Sequence, residues 1–215
     1  CEIEIEKVGS PIGKQDQYAS AFGGLNKIIF HSDESVDVLH FDSEDFTREI
    51  ESQSMLFYLD IEHTYIDPTT DRTVKDWAFV PKILHEQINA ISNKKAIYSL
   101  QRDNAIRMWE NMAYEVPERF MDHVNENWRL KRSLHPEISN ETIDKIVQRA
   151  YAAGATAAKV CGAGGGGFIY FMVPASMQSS VRGELAELHE LKFSFDDRGT
   201  EVIYDGNKNE ARVAY

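Results

Sequence analysis

The sequence predicts an α+β fold, in which strands and helices mix without the regular alternation of a doubly wound sheet. Apolar segments of strand length occur at residues 25–30, 36–41, 55–59 and 168–173. Residues 79–125 carry apolar side chains at helical spacing, and residues 138–154 form the clearest amphipathic stripe. The 215 residues are 42% hydrophobic and 27% charged, enough for one ordinary domain or two small ones around a core.

The first fifty residues predict a small unit of strands and one short helix. Residues 2–8 alternate Glu with Ile or Val, which is typical of a strand with one buried face. Residues 15–22 allow a short helix, and the pair Gly23-Gly24 after them favours a helix C-terminus. The apolar segments 25–30 and 36–41 flank an acidic turn and predict a hairpin.

The middle of the chain predicts one strand followed by helices. Residues 55–59 form a compact strand candidate, whereas residues 60–76 are polar, contain one proline and lack periodicity, which predicts a loop. Residues 79–125 predict two or three helices, interrupted near Asn93-Lys94 and at Pro117.

The last third predicts two helices and further strands. Ser139 or Asn140 caps the helix over residues 138–154, and Gly154 ends it. A glycine cluster and a strand over residues 168–173 follow, and residues 175–190 predict a second amphipathic helix. Residues 193–195 and 201–204 predict a terminal strand pair, or one bent strand around Asp197-Arg198-Gly199.

Charge and hydropathy exclude several classes of protein. The net charge of −12 and the pI near 5.0 argue against a nucleic-acid binder, because phosphate backbones need clustered Lys and Arg. Mean hydropathy is −0.42, no apolar run approaches the ~18 residues that span a bilayer, and no secretory segment is visible. We therefore expect a cytoplasmic protein that contacts neither membranes nor nucleic acid.

Cysteine and histidine spacing predicts no structural metal. Cys1 and Cys161 match neither a disulfide framework nor a zinc motif. The spacing of four histidines is likewise unlike that of metal ligands: His63, His85, His123 and His135.

Two segments carry residues suited to chemistry. The first is the glycine loop, residues 162–167, with five glycines in six positions. Such a loop either brings backbone N–H groups against phosphate oxygens or makes a tight turn between strands, and its own sequence does not decide between them. It matches neither the Walker pattern nor the dinucleotide fingerprint.

The second segment is Gly13-Lys14-Gln15-Asp16-Gln17, followed by Tyr18. Phosphoryl transfer needs an acceptor for the hydroxyl proton and positive charge near the transferring group, and Asp16 and Lys14 supply these. A solvated helix start, with Asp16 near the positive end of the helix dipole, is the alternative interpretation.

Taken together, the two segments resemble motifs of the GHMP kinase superfamily. The Gly-Gly-Gly-Gly-Phe string ending at Phe168 resembles its C-terminal motif, and residues 13–19 with Gly23-Gly24-Leu25-Asn26 resemble the D-glycero-D-manno-heptose 7-phosphate kinase branch. Further similarity lies at Trp128-x-x-Lys131, residues 138–146, and residues 193–199.

The resemblance implies an ATP-dependent kinase that uses Mg²⁺ and phosphorylates the anomeric hydroxyl of a heptose 7-phosphate. Asp16 and Lys14 would be catalytic, and Gly13, Gln15, Gln17, Tyr18 and Lys131 would bind substrate. The phosphates would lie along the backbone of Gly162, Ala163, Gly164, Gly165 and Gly166. No protein metal ligand is implied.

The resemblance also implies a two-domain architecture, with residues 1–50 as the remainder of an N-terminal domain and residues 52–215 as a ferredoxin-like C-terminal domain. The superfamily's nucleotide loop, Pro-x-x-x-Gly-Leu-x-Ser-Ser, is missing, so we expect the C-terminal portion of a longer kinase. A galactose- or fucose-type kinase and an inactive fragment or binding module of the same fold remain alternatives. An exposed sheet edge in the shortened domain favours a homodimer.

Overall fold

The computed structural model describes residues 5, 7–9, 12–76 and 79–203. The chain divides into two compact units. The larger unit is Glu44–Phe193, and the smaller unit combines Cys1–Ser43 with Ser194–Tyr215. The assignment of residues 1–50 and 52–215 to two domains stays a prediction.

The smaller unit contains one helix and one hairpin within its described residues. Helix α1 (Gln15–Phe22) precedes β1 (Asn26–Phe30) and β2 (Val36–His40), which pair antiparallel as predicted. The strand predicted over residues 2–8 lies largely outside the described residues, as does Tyr204. Residues 193–195 and 201–203 form no strand, so the predicted terminal strand pair was wrong.

The larger unit is built on a four-stranded antiparallel sheet. In chain order its elements are α2 (Glu44–Gln53), β3 (Ser54–Leu59), β4 (Thr64–Asp67), β5 (Arg72–Lys75), α3 (Phe79–Asn89), α4 (Lys95–Met112), α5 (Pro117–Arg132), α6 (Glu141–Ala152), β6 (Ala157–Val160), β7 (Gly167–Met172), α7 (Gln178–Glu184) and β8 (His189–Leu191). The sheet order is β6-β7-β3-β8. Helices separate β3 from β6 and β7 from β8, so this is the β-α-β-β-α-β order of a ferredoxin-like domain. The predicted α+β class is confirmed.

Alternate residues of the central strands build the core of the larger unit. Met55, Phe57 and Leu59 of β3 are buried, because successive side chains of a strand point to opposite faces. The rings of Phe57 and Phe171 meet edge to face at 6.0 Å between centroids. Helix α6 covers this layer with one apolar stripe, consisting of Ile143, Ile146, Val147 and Ala150.

Most helices begin close to the predicted positions, although α5 continues to Arg132, past the predicted limit at residue 125. Helices α4 and α5 start at Lys95 and Pro117, where the pattern was interrupted. Helix α6 starts at Glu141, since Pro136–Ile138 forms a 3-10 turn and the Asn140 side chain accepts a hydrogen bond from the Ile143 N–H at 3.0 Å. The helix predicted over residues 175–190 was too long: α7 ends at Glu184, because His189–Leu191 pairs with β3.

Residues 60–76 were predicted as a loop but form the hairpin β4–β5. Asp67 stabilises its turn: one carboxylate oxygen accepts hydrogen bonds from the Thr69 N–H at 2.8 Å and the Thr69 hydroxyl at 2.6 Å. Asp71 completes the turn with a φ of 52°. The prediction failed because polar side chains on both faces hid the strand pattern. Among the described residues, no helix is both long and apolar enough to cross a membrane.

Candidate functional site

The segment around Asp16 occupies the start of α1. Lys14 is the residue before the helix, and its carbonyl accepts a hydrogen bond from the Tyr18 N–H at 3.2 Å. Asp16 lies in the first turn with an exposed side chain. The positive end of the helix dipole stabilises a carboxylate at this position, and the exposed side chain is open to a ligand.

The other predicted substrate contacts in this segment differ in exposure. Gly13 and Gln15 are exposed, whereas Gln17 and Tyr18 are half-buried. The Tyr18 ring is parallel to Phe22 at 6.3 Å and meets the edge of Phe30 at 5.6 Å. Tyr18 thus packs α1 against β1 and holds the start of the helix in place.

The segment that follows the larger unit anchors the other end of α1. The Gly24 N–H donates to the Asp196 carbonyl at 2.6 Å, and the Thr200 N–H donates to the Ala21 carbonyl at 3.1 Å. A Cβ on Gly199 would lie 2.6 Å from the carbonyl carbon of Phe22, so only glycine fits there. Residues 196–200, from the C-terminal part of the described chain, therefore hold the C-terminal end of the helix that carries Asp16.

The glycine loop lies between β6 and β7 and requires glycine for two reasons. Gly162, Gly164 and Gly165 have φ angles of 65°, 107° and 79°, in the region that side chains disfavour. A Cβ on Gly164 would lie 2.9 Å from Ile138 Cα, and a Cβ on Gly165 would lie 2.5 Å from Phe79 Cε1. The loop is thus both unusual in conformation and closely packed.

Three side chains from distant parts of the chain bind carbonyl groups of this loop. The ammonium group of Lys131 on α5 donates to the Gly162 carbonyl. The amide of Gln87 on α3 donates to the Ala163 carbonyl at 3.4 Å.

His63, just before β4, contributes the third of these bonds, from Nε2 to the Gly165 carbonyl at 2.9 Å. Because a carbonyl only accepts, Nε2 must carry the proton.

Most N–H groups of the loop have no acceptor among the described residues. The Gly165 N–H donates to the Ile138 carbonyl at 2.9 Å. Within the described part of the chain, four other loop N–H groups have no acceptor: those of Gly162, Ala163, Gly164 and Gly166. Successive N–H groups in such turns form a concave site for an anion.

Positive charge also lies near the loop. Lys131 and Lys159 both act on the Cys161 thiol, which immediately precedes it; burial raises the pKa of that thiol and the two lysines oppose the rise. The local field therefore suits phosphate oxygens despite the acidic chain.

Glu86, His135 and Glu137 form a cluster with atoms that could bind a metal, all within 4.8 Å of one another. His135 Nδ1 accepts a hydrogen bond from the Glu137 N–H at 3.2 Å, so Nε2 carries the proton and donates to Glu86 at 2.5 Å. The Lys82 Nζ atom lies 3.6 Å from Oε2 of Glu137. These groups are arranged as a hydrogen-bonded cluster, and the prediction of no structural metal stays a prediction.

The structure thus brings Lys131 together with the predicted glycine loop, while the segment from Gly13 to Tyr18 belongs to the other compact unit. Sequence reasoning missed His63, Gln87 and Phe79 as neighbours of the loop. No local motif marks them, because each is far from the loop along the chain.

The fold and the glycine loop agree with the comparison to known families. Residues 110–190 match the family described as GHMP kinases C terminal. Among curated proteins, the chain is 27% identical over 198 residues to D-glycero-alpha-D-manno-heptose 7-phosphate kinase of Campylobacter jejuni, covering 90% of this chain and 55% of that protein.

Two further relatives broaden the comparison. The chain is 26% identical over 212 residues to galactokinase of Thermococcus kodakarensis, covering 89% of this chain and 57% of that protein. It also matches the crystal structure of a D-glycero-D-manno-heptose 1-phosphate kinase from Bacteroides thetaiotaomicron, with a TM-score of 0.60, 26% identity and coverage of 92% and 51%. The chain therefore spans about half the length of the relatives that it matches.

Proposed function

We propose that this chain is the C-terminal part of an ATP-dependent sugar kinase that phosphorylates the anomeric hydroxyl of a heptose 7-phosphate. The observation that carries the proposal is the glycine loop, three of whose carbonyls are bound by side chains while the N–H groups of Gly162, Ala163, Gly164 and Gly166 have no acceptor among the described residues and are available to phosphate oxygens. The similarity to a heptose 7-phosphate kinase supports the choice of substrate.

Each predicted residue has a role in this proposal. Asp16 accepts or orients the proton of the sugar hydroxyl, and Lys14 adds positive charge near the transferring group. Gly13, Gln15, Gln17 and Tyr18 are the proposed substrate contacts of the smaller unit, and Lys131, which holds Gly162, is the proposed substrate contact of the larger unit. The loop N–H groups fit the terminal phosphates of ATP, and Mg²⁺ would neutralise the charge on those phosphates.

Kinetic assay of the whole protein with ATP, Mg²⁺ and heptose 7-phosphate tests the proposal. Asp16→Asn removes the proton acceptor at nearly constant volume, and we expect kcat to fall about 10²- to 10⁴-fold. Asp42→Asn is the matched control, because Asp42 is an exposed carboxylate in the same compact unit. Retention of most activity by the Asp16 variant would remove this residue from the mechanism.

A galactose- or fucose-type kinase is the second candidate, and the similarity to galactokinase favours it. A panel of sugars with and without a terminal phosphate separates the two, since a site built for a phosphorylated sugar rejects the neutral one. An inactive fragment or binding module predicts no turnover at all. Calorimetric titration of the 215-residue chain with an ATP analogue separates a binding module from an inert piece.

We also propose that the protein acts in the cytoplasm on a sugar phosphate, and that it forms a homodimer. Size-exclusion chromatography with light scattering tests the last point. A monomer over a wide range of concentrations would contradict it.

A further inference from the structure

His63 contacts the glycine loop directly and also packs on Phe79, a second neighbour of the loop. Its Nε2–H donates to the Gly165 carbonyl at 2.9 Å, and its ring is stacked on Phe79 with 3.3 Å between centroids and 9° between planes. Phe79 in turn contacts the loop, since a Cβ on Gly165 would lie 2.5 Å from its ring. His63 and Phe79 therefore pack together against Gly165.

The hairpin β4–β5 fixes this pair. The Asp76 N–H donates to the His63 carbonyl at 2.6 Å, so His63 and Asp76 close the base of the hairpin. The Phe79 N–H then donates to the Asp76 carbonyl at 3.4 Å, at the start of α3. These two backbone hydrogen bonds connect His63 and Phe79 through Asp76.

The hydrogen bond from His63 to the Gly165 carbonyl also affects the neighbouring Gly166 N–H. The Gly165 carbonyl and the Gly166 N–H belong to the same peptide group. This N–H is one of the four loop N–H groups without an acceptor in the described residues. Because a peptide unit is planar, binding the carbonyl fixes the direction of that N–H.

We infer that His63 is a positioning residue for the proposed kinase site: by holding the Gly165 carbonyl it aims the Gly166 N–H at the transferring phosphoryl group. This inference rests on the proposed function of the loop. The loop N–H groups stabilise the charge of the transition state only if they are fixed beforehand, so a loose Gly166 peptide lowers kcat more than it weakens nucleotide binding.

Three substitutions separate the hydrogen bond from the ring stack. His63→Phe keeps a ring on Phe79 and removes the donor. His63→Gln loses the ring but places an amide N–H₂ near the position of the imidazole Nε2, whereas the shorter side chain of His63→Asn places it near Nδ1. The matched controls are the same three changes at His85, an exposed histidine on α3.

Hydrogen exchange of the peptide that contains residues 161–168 is the first measurement, since it needs no catalysis. In the whole protein, we expect His63→Phe and His63→Asn to speed exchange of the Gly165 N–H, which donates to the Ile138 carbonyl, about ten-fold, and His63→Gln to restore slow exchange. Equal exchange in the Gln and Asn variants would overturn the inference, as would unchanged exchange in both His63→Phe and His63→Asn. If the Phe variant does not fold, the comparison of Gln with Asn decides alone.

Kinetics is the second measurement. We expect kcat to fall about ten-fold in the Phe and Asn variants with the nucleotide KM changed less than about two-fold, and His63→Gln to recover most of kcat. A rise in KM with constant kcat would overturn the positioning role. A wild-type protein without kinase activity refutes the proposed function itself, and the exchange experiment then still reports whether His63 holds the loop.

Discussion

Gly165→Ala tests whether the loop is closely packed as well as unusual in conformation. At a φ of 79°, a Cβ costs about 1–2 kcal/mol in backbone strain. The same Cβ would lie 2.5 Å from Phe79 Cε1 and 3.2 Å from the Glu137 carbonyl, and overpacking of this kind costs about 1–3 kcal/mol. We therefore expect the free energy of unfolding to fall by about 2–5 kcal/mol.

Gly162→Ala is the matched control, since Gly162 also has a positive φ, of 65°, but a Cβ there would meet nothing within 4 Å. It should cost only the strain, about 1–2 kcal/mol. Urea denaturation of both variants measures the difference. Repeating Gly165→Ala in a Phe79→Ala background should recover about 1–2 kcal/mol, because the contact is then absent. Equal costs for the two glycines, or no recovery, would refute the close packing.

Two further predictions concern stability and ionisation. Asn140→Ala removes the acceptor for the Ile143 N–H and should lower the free energy of unfolding by about 1 kcal/mol. Ile143→Ala, at a fully buried position, should lower it by about 2–5 kcal/mol. Calorimetry that ranks the two variants in the opposite order would contradict the assignment of Asn140 as the helix cap and Ile143 as a core residue. Burial, partly opposed by the hydrogen bond with Ser54, raises the pKa of Tyr170 to about 12 from the ordinary value of 10.0. The unfolded chain ionises first, so this contribution to stability is complete below pH 10 and is lost as the pH rises towards 12; titration of the phenolate absorbance checks the value, and Ser54→Ala should raise it further.

The elements that local patterns specify were predictable. The stripe of Ile143, Ile146 and Val147 with Asn140 before it placed α6 within three residues of its observed start. Hairpin β4–β5 was not predicted, because its turn is set by the Asp67 side chain and its strands show only a weak alternation of apolar and polar residues. Strand β8 was hidden for a different reason: it exists only because β3 offers an edge to pair with, and no property of residues 189–191 indicates that.

The candidate site was predictable only in part, and the missing part is the one that decides its chemistry. Glycine composition predicted a loop with unusual φ angles, but the donors that hold its carbonyls are separated from it by 31 residues for Lys131, 76 for Gln87 and 102 for His63. A glycine string without these donors would leave its carbonyls as available as its N–H groups, and carbonyl oxygens repel phosphate. The arrangement that suits an anion is therefore a property of the folded unit, in which α5, α3 and the base of β4–β5 each bind one carbonyl. That arrangement favours the phosphate-binding interpretation of the loop over a simple turn, because a turn between two strands has no need of three side-chain donors on its carbonyls.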